Sequence, residues 1–369
     1  MRSASVMEYL ARRYDVDVIV FREPGALHPA RLFPAKIARE IYVVELPRHH
    51  KDLISRMVRN SGRLGRGVPP LVDRFAGFSR QIDAFLHNRR YDVTVVEHFW
   101  CAPYWEQLAP VSAKTVLNLH NIESVLHERC ARAESGPAGL AHDIFRRAAR
   151  DLEAQWLPRY DVLLTSSDTD AQFARAISPA TNIVVYPNTI PFVLRPDLPE
   201  RDIIVLSGNL EYHPNVSAVR YFRDEIWPLL RDRWPSLVWR LVGKNPDAVR
   251  NHTNGDLQIE MSGPVENSIQ ELAAAKVVVV PVLAGSGTRF KVIEAWAAGR
   301  AVVATTIGAE GLPARHGENL LIADGARNFS DAVSLLLDSP DLRAQIGETG
   351  RRLFESDFTW ERGWQKLDL

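Results

Sequence analysis

The chain has only two cysteines, Cys101 and Cys130. Two cannot build a disulfide framework, so the composition is that of a reducing cytosol. Net charge is also absent, because 45 Lys+Arg balance 45 Asp+Glu. That balance argues against a nucleic-acid binder, which would carry a basic excess. Long apolar runs are missing as well. The longest, 277–284, is less than half of a membrane span of about 20 residues. The N-terminal stretch MRSASVMEYLARRYDVDVIVF lacks the charged start, apolar run and small-residue cleavage site of a signal peptide. The expected location is cytoplasmic, with the inner face of the cell membrane as a peripheral site. Metal-ligand clusters are missing too: there is no HExxH, no paired CxxC and no DxD pair in an evident loop.

What is present is core. Apolar residues make up 46%, with nine Trp and fourteen Phe, which excludes disorder. A chain of 369 residues is two to three domains by length. Short β-branched runs at 16–21, 41–46, 93–97, 114–119 and 161–166 alternate with helical stretches at 83–88 and 144–157. The rhythm restarts with strands at 203–207, 238–242, 258–261, 277–282, 301–305 and 319–323, and helices at 216–231, 269–275, 290–298 and 329–337. Such alternation predicts α/β units with parallel sheets. Between the two series lies YPNTIPFVLRPDLPE, with four prolines in fifteen residues. Proline removes a backbone donor and fixes φ, so this stretch reads as a linker. The expected division is an N-terminal domain 1–186, a linker 187–200, a C-terminal domain 201–350 and a C-terminal helix 351–369 that packs back toward the N-terminal domain.

One local charge excess stands out: Arg48, Lys51, Arg56, Arg59, Arg63 and Arg66, with His49 and His50, opposed only by Asp52. A solvated face is the plain reading. The alternative is attraction to an anionic membrane leaflet, where each nearby cation contributes about 1 kcal/mol.

The most informative stretch is VPVLAGSGTRFKVIEAWAAGRAVVATTIGAEG, at 280–311. A buried strand runs into the small-residue turn Gly285–Ser286–Gly287. Thr288 is placed to cap a helix over 289–298, and Gly299 supplies its left-handed stop. Free N–H groups at a helix start form an anion site. Arg289 and Lys291 place two cations in the first turn, where cations alone are unfavourable, so an anion is expected to offset them. Glu294, three residues after Lys291, is suited to accept both hydrogens of a vicinal diol such as ribose. The combination reads as a nucleotide-diphosphate cradle. A dinucleotide fingerprint would need Gly where Phe290 stands, and a P-loop would need Gly-Lys-Ser/Thr.

These residues resemble the donor-site signature of retaining, GT-B-fold glycosyltransferases of family 4 (glycosyl transferases group 1), in the subgroup with the pattern GGGTRxKxxEAMAxGxPVV, here GSGTRFKVIEAWAAGRAVV. SGNLEYHPNVSAVRYFRDEIWPLL, LVGKNP and MSGPVENSIQELAAAKVVVVP extend the resemblance, and NLHNIES and DVLLTSSDTD carry it into the first half. It covers most of 90–365. The resemblance implies two Rossmann-like domains facing across a cleft, with donor bound by the C-terminal one and acceptor mainly by the N-terminal one. It implies that Glu294 binds the donor ribose. The backbone of Gly285, Ser286 and Gly287, with Thr288, Arg289 and Lys291 nearby, would face the diphosphate and sugar. Gly208 would admit the diphosphate to the backbone, and Pro264 and Val265 would lie against the base. His120, after the apolar strand TVLNL, resembles the histidine that reaches toward the transferred sugar and acceptor. Glu123, three residues on, is a candidate to orient it.

The implied activity is metal-independent transfer, of hexosyltransferase type, of a sugar from a nucleotide-diphosphate sugar to a glycan or lipid-linked acceptor. The anomeric configuration would be retained, and the context would be bacterial surface polysaccharide biosynthesis. No cofactor is expected. Fixed cations and helix N-termini would stabilise the leaving phosphate. The pattern is departed from at Ser286, where relatives carry the first Glu of E-x7-E, and at Asn209 and Asn215, where they carry Arg and Lys. The cationic work then falls on Arg289 and Lys291, or on Lys244. A non-catalytic homologue acting as a binding module and a sugar-nucleotide epimerase stay open beside the transferase. Relatives also begin with a strand and glycine turn ahead of the helix that Ser5–Arg13 resembles, so the reading expects a true start about 20–30 residues upstream of Met1.

Overall fold

The computed structural model describes residues 1–34, 36–49, 52–133, 136–253, 255–284 and 289–369. The chain divides into two compact units, Met1–Tyr186 with Lys366–Leu369, and Pro187–Gln365.

The first unit begins with helix α1, Arg2–Ala11. Its strands are β1 (Asp17–Arg22), β2 (Glu40–Glu45), β3 (Tyr91–Glu97), β4 (Ser112–Asn118), β5 (Val162–Thr165) and β6 (Asn182–Val185). All pairs are parallel, in two sheets: β1–β2, and β3–β4–β5–β6 in that order. No ladder among the described residues joins the two sheets. They are linked by side chains instead, as where Tyr91 Oη donates to Asp17 Oδ2 at 3.0 Å. The four-residue strand β6 falls outside the sequence expectation, since its apolar run Ile183–Val185 is too short to separate from a loop by pattern. The chain's end joins this unit through its backbone. Tyr9 Oη donates to the Leu367 carbonyl at 2.9 Å and Tyr14 Oη to that of Leu369 at 2.7 Å.

The second unit holds one six-stranded parallel sheet. Its strands are β7 (Arg201–Ser207), β8 (Val238–Val242), β9 (Ile259–Gly263), β10 (Ala275–Val280), β11 (Ala301–Ala304) and β12 (Leu321–Ile322), in the order β12–β11–β10–β7–β8–β9. Side chains alternate across a strand, so each central strand feeds two cores. Ile203, Val205, Val278 and Val280 enter one cluster, and Ile204, Leu206, Val277 and Val279 the other. Burial on both faces explains why β10 ends in an uninterrupted apolar run, 277–280.

The single helix expected at 216–231 is three pieces: His213–Tyr221, a wide π turn at Phe222–Ile226, and Trp227–Arg233. Pro228 in the last piece cannot donate to the preceding turn, and local widening accommodates it. The Pro-rich 187–200 stretch is held along this unit. Arg351 donates to the Val193 carbonyl at 2.8 Å, Arg300 to that of Leu198 at 3.2 Å, and Glu200 pairs with both Arg300 and Arg343 at 2.6 Å.

Candidate functional site

In the second unit the chain runs from β7 outward to β8 and β9, then returns to place β10 on the other side of β7. Strand order therefore reverses between β7 and β10. In an open parallel sheet the crevice beyond the carboxyl ends at such a point is where ligands bind. The segments leaving these ends begin at Gly208 after β7, Gly243 after β8 and Pro264 after β9.

Gly208 and Gly243 set the shape of this edge. Gly208 has φ +143° and Gly243 φ +152°. Gly208 N donates to the Val242 carbonyl at 2.9 Å, Gly243 N to that of Gly263 at 3.1 Å, and Leu210 N to that of Lys244 at 2.9 Å. A Cβ on Gly243 would lie 1.7 Å from the Gly208 carbonyl oxygen. Two backbones therefore cross with no room for a side chain. Gly243 belongs to the site's frame and was not singled out from sequence, although it stands at a strand end in LVGKNP.

The helix after β10 is Phe290–Ala297, and Gly299 follows it with φ +67°, the expected left-handed stop. The helix starts one residue later than expected, so Arg289 and not Thr288 holds the N-cap position. Gly285, Ser286, Gly287 and Thr288 lie outside the described residues. Arg289 Nε donates to the Ile307 carbonyl at 3.3 Å.

Lys291 reaches the β7 end. Its Nζ donates to Asn215 Oδ1 at 2.7 Å and lies 3.5 Å from where a Cβ on Gly208 would stand. Asn215 Nδ2 donates in turn to the Asn209 carbonyl at 2.8 Å, and Asn245 Nδ2 to Asn209 Oδ1 at 3.0 Å. The two asparagines that replace cations in the pattern thus hold a cation from another element. Lys291 keeps some surface exposure, but protein surrounds its ammonium. That burial, with the charge of Arg289, pushes its pKa down to about 7.

Glu294 accepts from Ser268 Oγ at 3.1 Å, and burial raises its carboxyl above the ordinary range. Lys244 is exposed, and its described contact at this edge is made by its backbone. Pro264 is exposed, while Val265 is half-buried and packs on the core. Gly208, Asn209, Asn215 and Lys291 therefore form one cluster, with Lys244 joined through the backbone.

In the first unit, His120 follows β4 as expected. Its partner differs from the expectation. Glu123 takes Asn121 Nδ2 at 3.1 Å, and burial lifts its carboxyl to about 7. The group on His120 is Glu97, the last residue of β3, whose Oε2 lies 2.7 Å from His120 Nε2. Parallel register explains this. Glu97 pairs with Asn118, so the residues just beyond both strands emerge side by side. Burial opposes charge on Glu97, but hydrogen bonds from His120, Asn118 and Ser3 outweigh it and hold the carboxyl below its ordinary range. His98, also missed, lies against His120 with ring centres 3.6 Å apart and planes tilted by 31°. Among the described residues, no three His, Cys, Asp or Glu side chains converge in a way that would hold a metal ion.

Residues 201–339 match the family model described as glycosyl transferases group 1. Over 339 residues the chain is 19% identical to a Klebsiella pneumoniae protein described as an uncharacterized 44.6 kDa protein in cps region, covering 87% of this chain and 81% of that one. Its structure is similar to sucrose-phosphate synthase from Thermosynechococcus elongatus, with TM-score 0.74, 18% identity, and 99% of this chain and 90% of that chain covered. It is also similar to Anabaena HepE in complex with UDP and glucose, with TM-score 0.67, 14% identity, and 98% and 93% covered. The fold of this chain is thus the GT-B type of glycosyltransferases, and its second unit carries the glycosyl transferases group 1 region.

Proposed function

We propose that the chain is a retaining glycosyltransferase that moves a sugar from a nucleotide-diphosphate sugar to a glycan or lipid-linked acceptor. The observation that carries this is the placement of Lys291 against Gly208 and Asn215 at the strand-order reversal. A buried ammonium beside glycine backbone is a diphosphate site in waiting. Glu294, one helical turn on, is assigned to the ribose diol, with Pro264 and Val265 toward the base and Lys244 at the rim. Arg289 and Lys291 stabilise charge on the leaving phosphate without a metal ion. His120 in the first unit serves the sugar and acceptor. The cps-region relative supports a role in surface polysaccharide assembly.

The test is a thermal-shift panel of UDP, GDP, ADP and TDP, followed by sugar-transfer assays with the matching nucleotide sugars. A bound nucleotide raises the midpoint with the logarithm of its concentration over Kd. One base should dominate, and Glu294→Ala should remove its effect. Unchanged nucleotide affinity in that variant would overturn the assignment. Selective nucleotide binding with neither sugar transfer nor donor hydrolysis would favour the non-catalytic binding module.

The same reading places the chain at an anionic membrane surface through helix α2, Leu53–Arg66. Asp52 caps it by accepting from Ser55 N at 2.9 Å, and Gly67 ends it at φ +62°. Ile54, Met57 and Val58 are 75%, 62% and 67% exposed, at the spacing of one helix face. Arg63 and Arg66 both pair with Asp73, at 2.8 and 2.7 Å, and Arg48 adds charge beside that face. His50 and Lys51 lie outside the described residues. Among those residues, no helix is long and apolar enough to cross a membrane. Vesicles containing phosphatidylglycerol should sediment the chain and pure phosphatidylcholine vesicles should not. Replacing Ile54, Met57 and Val58 with serine should weaken sedimentation about tenfold or more, since burying one such side chain contributes about 1.5–3 kcal/mol. Equal behaviour on both vesicles would remove this contact from the proposal.

A further inference from the structure

His98 has φ +72° and ψ 140°, a backbone region that side chains rarely occupy. Holding a non-glycine residue there costs about 1–3 kcal/mol, and such residues cluster where function requires them. Its Nδ1 is buried without a hydrogen-bond partner. Two costs are thus accepted at one residue. What they maintain is a ring stack: His98 lies flat on Trp100, with centres 4.0 Å apart and planes at 11°, and its other neighbour is His120. The imidazole is squeezed between an indole and the histidine that the transferase reading assigns to the sugar.

On the edge of His120, both described hydrogen bonds fall on Nε2: Glu97 Oε2 at 2.7 Å and Ser3 Oγ at 3.4 Å. Glu97 is itself fixed. Ser3 Oγ donates to its Oε2 at 2.8 Å, and Asn118 Nδ2 lies 3.1 Å from each oxygen. Arg2 Nε donates to Asn118 Oδ1 at 2.8 Å, which orients that amide. An ionised carboxylate only accepts, so the proton of this pair sits on Nε2 of His120. The charged side chains around the ring are Glu97, which favours an imidazolium, and Arg2, which disfavours it. Burial disfavours it most and shifts His120 below its ordinary range, and burial pushes His98 down to about 3.

We propose that Glu97 and His98 are positioning residues that hold His120 as the neutral, Nε2-protonated tautomer, so that its Nδ1 lone pair accepts a hydrogen bond from a sugar hydroxyl. The first unit then offers the sugar a neutral acceptor and not a cation. Its ligand must carry a donating hydroxyl at that place. The proton on Nε2 stands on this geometry, the neutral charge on the burial of the ring, and the identity of the hydroxyl on the glycosyltransferase reading.

The experiment is nitrogen-15 NMR of the full chain labelled in its histidines at pH 7.5, with His120 assigned by loss of its signals in His120→Gln. His120 should show a protonated Nε2 and an unprotonated Nδ1. His98→Gly should keep or raise the thermal midpoint, because glycine relieves the strained backbone, yet should mix the tautomers of His120. Glu97→Gln should mix them too. Transfer assays on both variants should show kcat down about tenfold to a hundredfold, the scale on which a misplaced group costs rate, with donor KM unchanged. A cationic or Nδ1-protonated His120 in the unaltered chain would overturn the proposal, as would an unchanged tautomer in His98→Gly. If the tautomers behave as expected and the unaltered chain transfers no sugar, the glycosyltransferase reading fails and the positioning assignment stands.

Discussion

Replacing Lys291 with methionine lowers affinity for UDP, or for whichever diphosphate the panel selects, by about tenfold to a hundredfold. That range is the worth of one charge-assisted hydrogen bond, about 1.5–3 kcal/mol. Methionine fills the same buried space, so packing is preserved and the charge is what goes. Asn215 keeps its bond to the Asn209 carbonyl at 2.8 Å, which holds the β7 end in place.

The same substitution raises thermal stability near neutral pH, and the sign follows from linkage. Lys291 has a folded pKa of about 7 against 10.5 when unfolded. The unfolded chain therefore binds more protons between those values, and the penalty is full below pH 7 and relieved as pH rises toward 10.5. The gain in Lys291→Met should be largest at and below pH 7, at about 2–4 °C per kcal/mol for a unit of this size, and should shrink by pH 10. Nucleotide binding by the unaltered chain should take up a proton above pH 7, where the terminal phosphate is already ionised, and should weaken as pH rises. Calorimetry in buffers of different ionisation enthalpy reads that proton directly. Undiminished UDP affinity in Lys291→Met would remove Lys291 from the diphosphate site.

Gly243→Ala is expected to destabilise the second unit by about 3 kcal/mol or more. Two independent terms add. The backbone at φ +152° is one that alanine resists, a cost of about 1–3 kcal/mol. The new Cβ would also stand 1.7 Å from the Gly208 carbonyl oxygen, and relieving such overpacking costs about 1–3 kcal/mol more. Gly208 must move to relieve it, and the proposed donor site moves with it. Urea titration followed by tryptophan fluorescence should therefore show a lower midpoint, and the residual folded protein should bind nucleotide weakly. A midpoint within 0.5 kcal/mol of the unaltered chain, a difference of about the size of an ordinary surface substitution, would mean the crossing is not as tight as described.

How much of this was legible beforehand differs between the two units. In the second, β10 announced itself because burial on both faces demands four consecutive valines, and the helix with its Gly299 stop follows from local rules. Lys291 and Glu294 could be placed on that helix from spacing alone. Lys291 was among the residues expected to supply the missing positive charge, but its bond to Asn215 could not be read, because those two residues meet across 76 positions of chain. In the first unit, His120 was legible as a histidine ending an apolar strand. The same signal stood one strand earlier in YDVTVVEH, where Glu97 and His98 end β3, and went unread. Nearness in sequence favoured Glu123 instead, whereas adjacent parallel strands bring their ends together regardless of separation.

The sequence by itself therefore determined most of the strands, several of the helices, that the sheets are parallel, and several of the residues at strand ends, since these depend on local periodicity, turn chemistry and burial. Only the tertiary structure decided who meets whom. Register between β3 and β4 chose Glu97 for His120, the return of β10 beside β7 brought Lys291 to Gly208, and the close approach of the segments leaving β7 and β8 left no room for a side chain at Gly243. Each is a contact between chemically suitable groups far apart in the chain, and a one-dimensional pattern carries no term for which of several suitable partners the ladder will bring into reach.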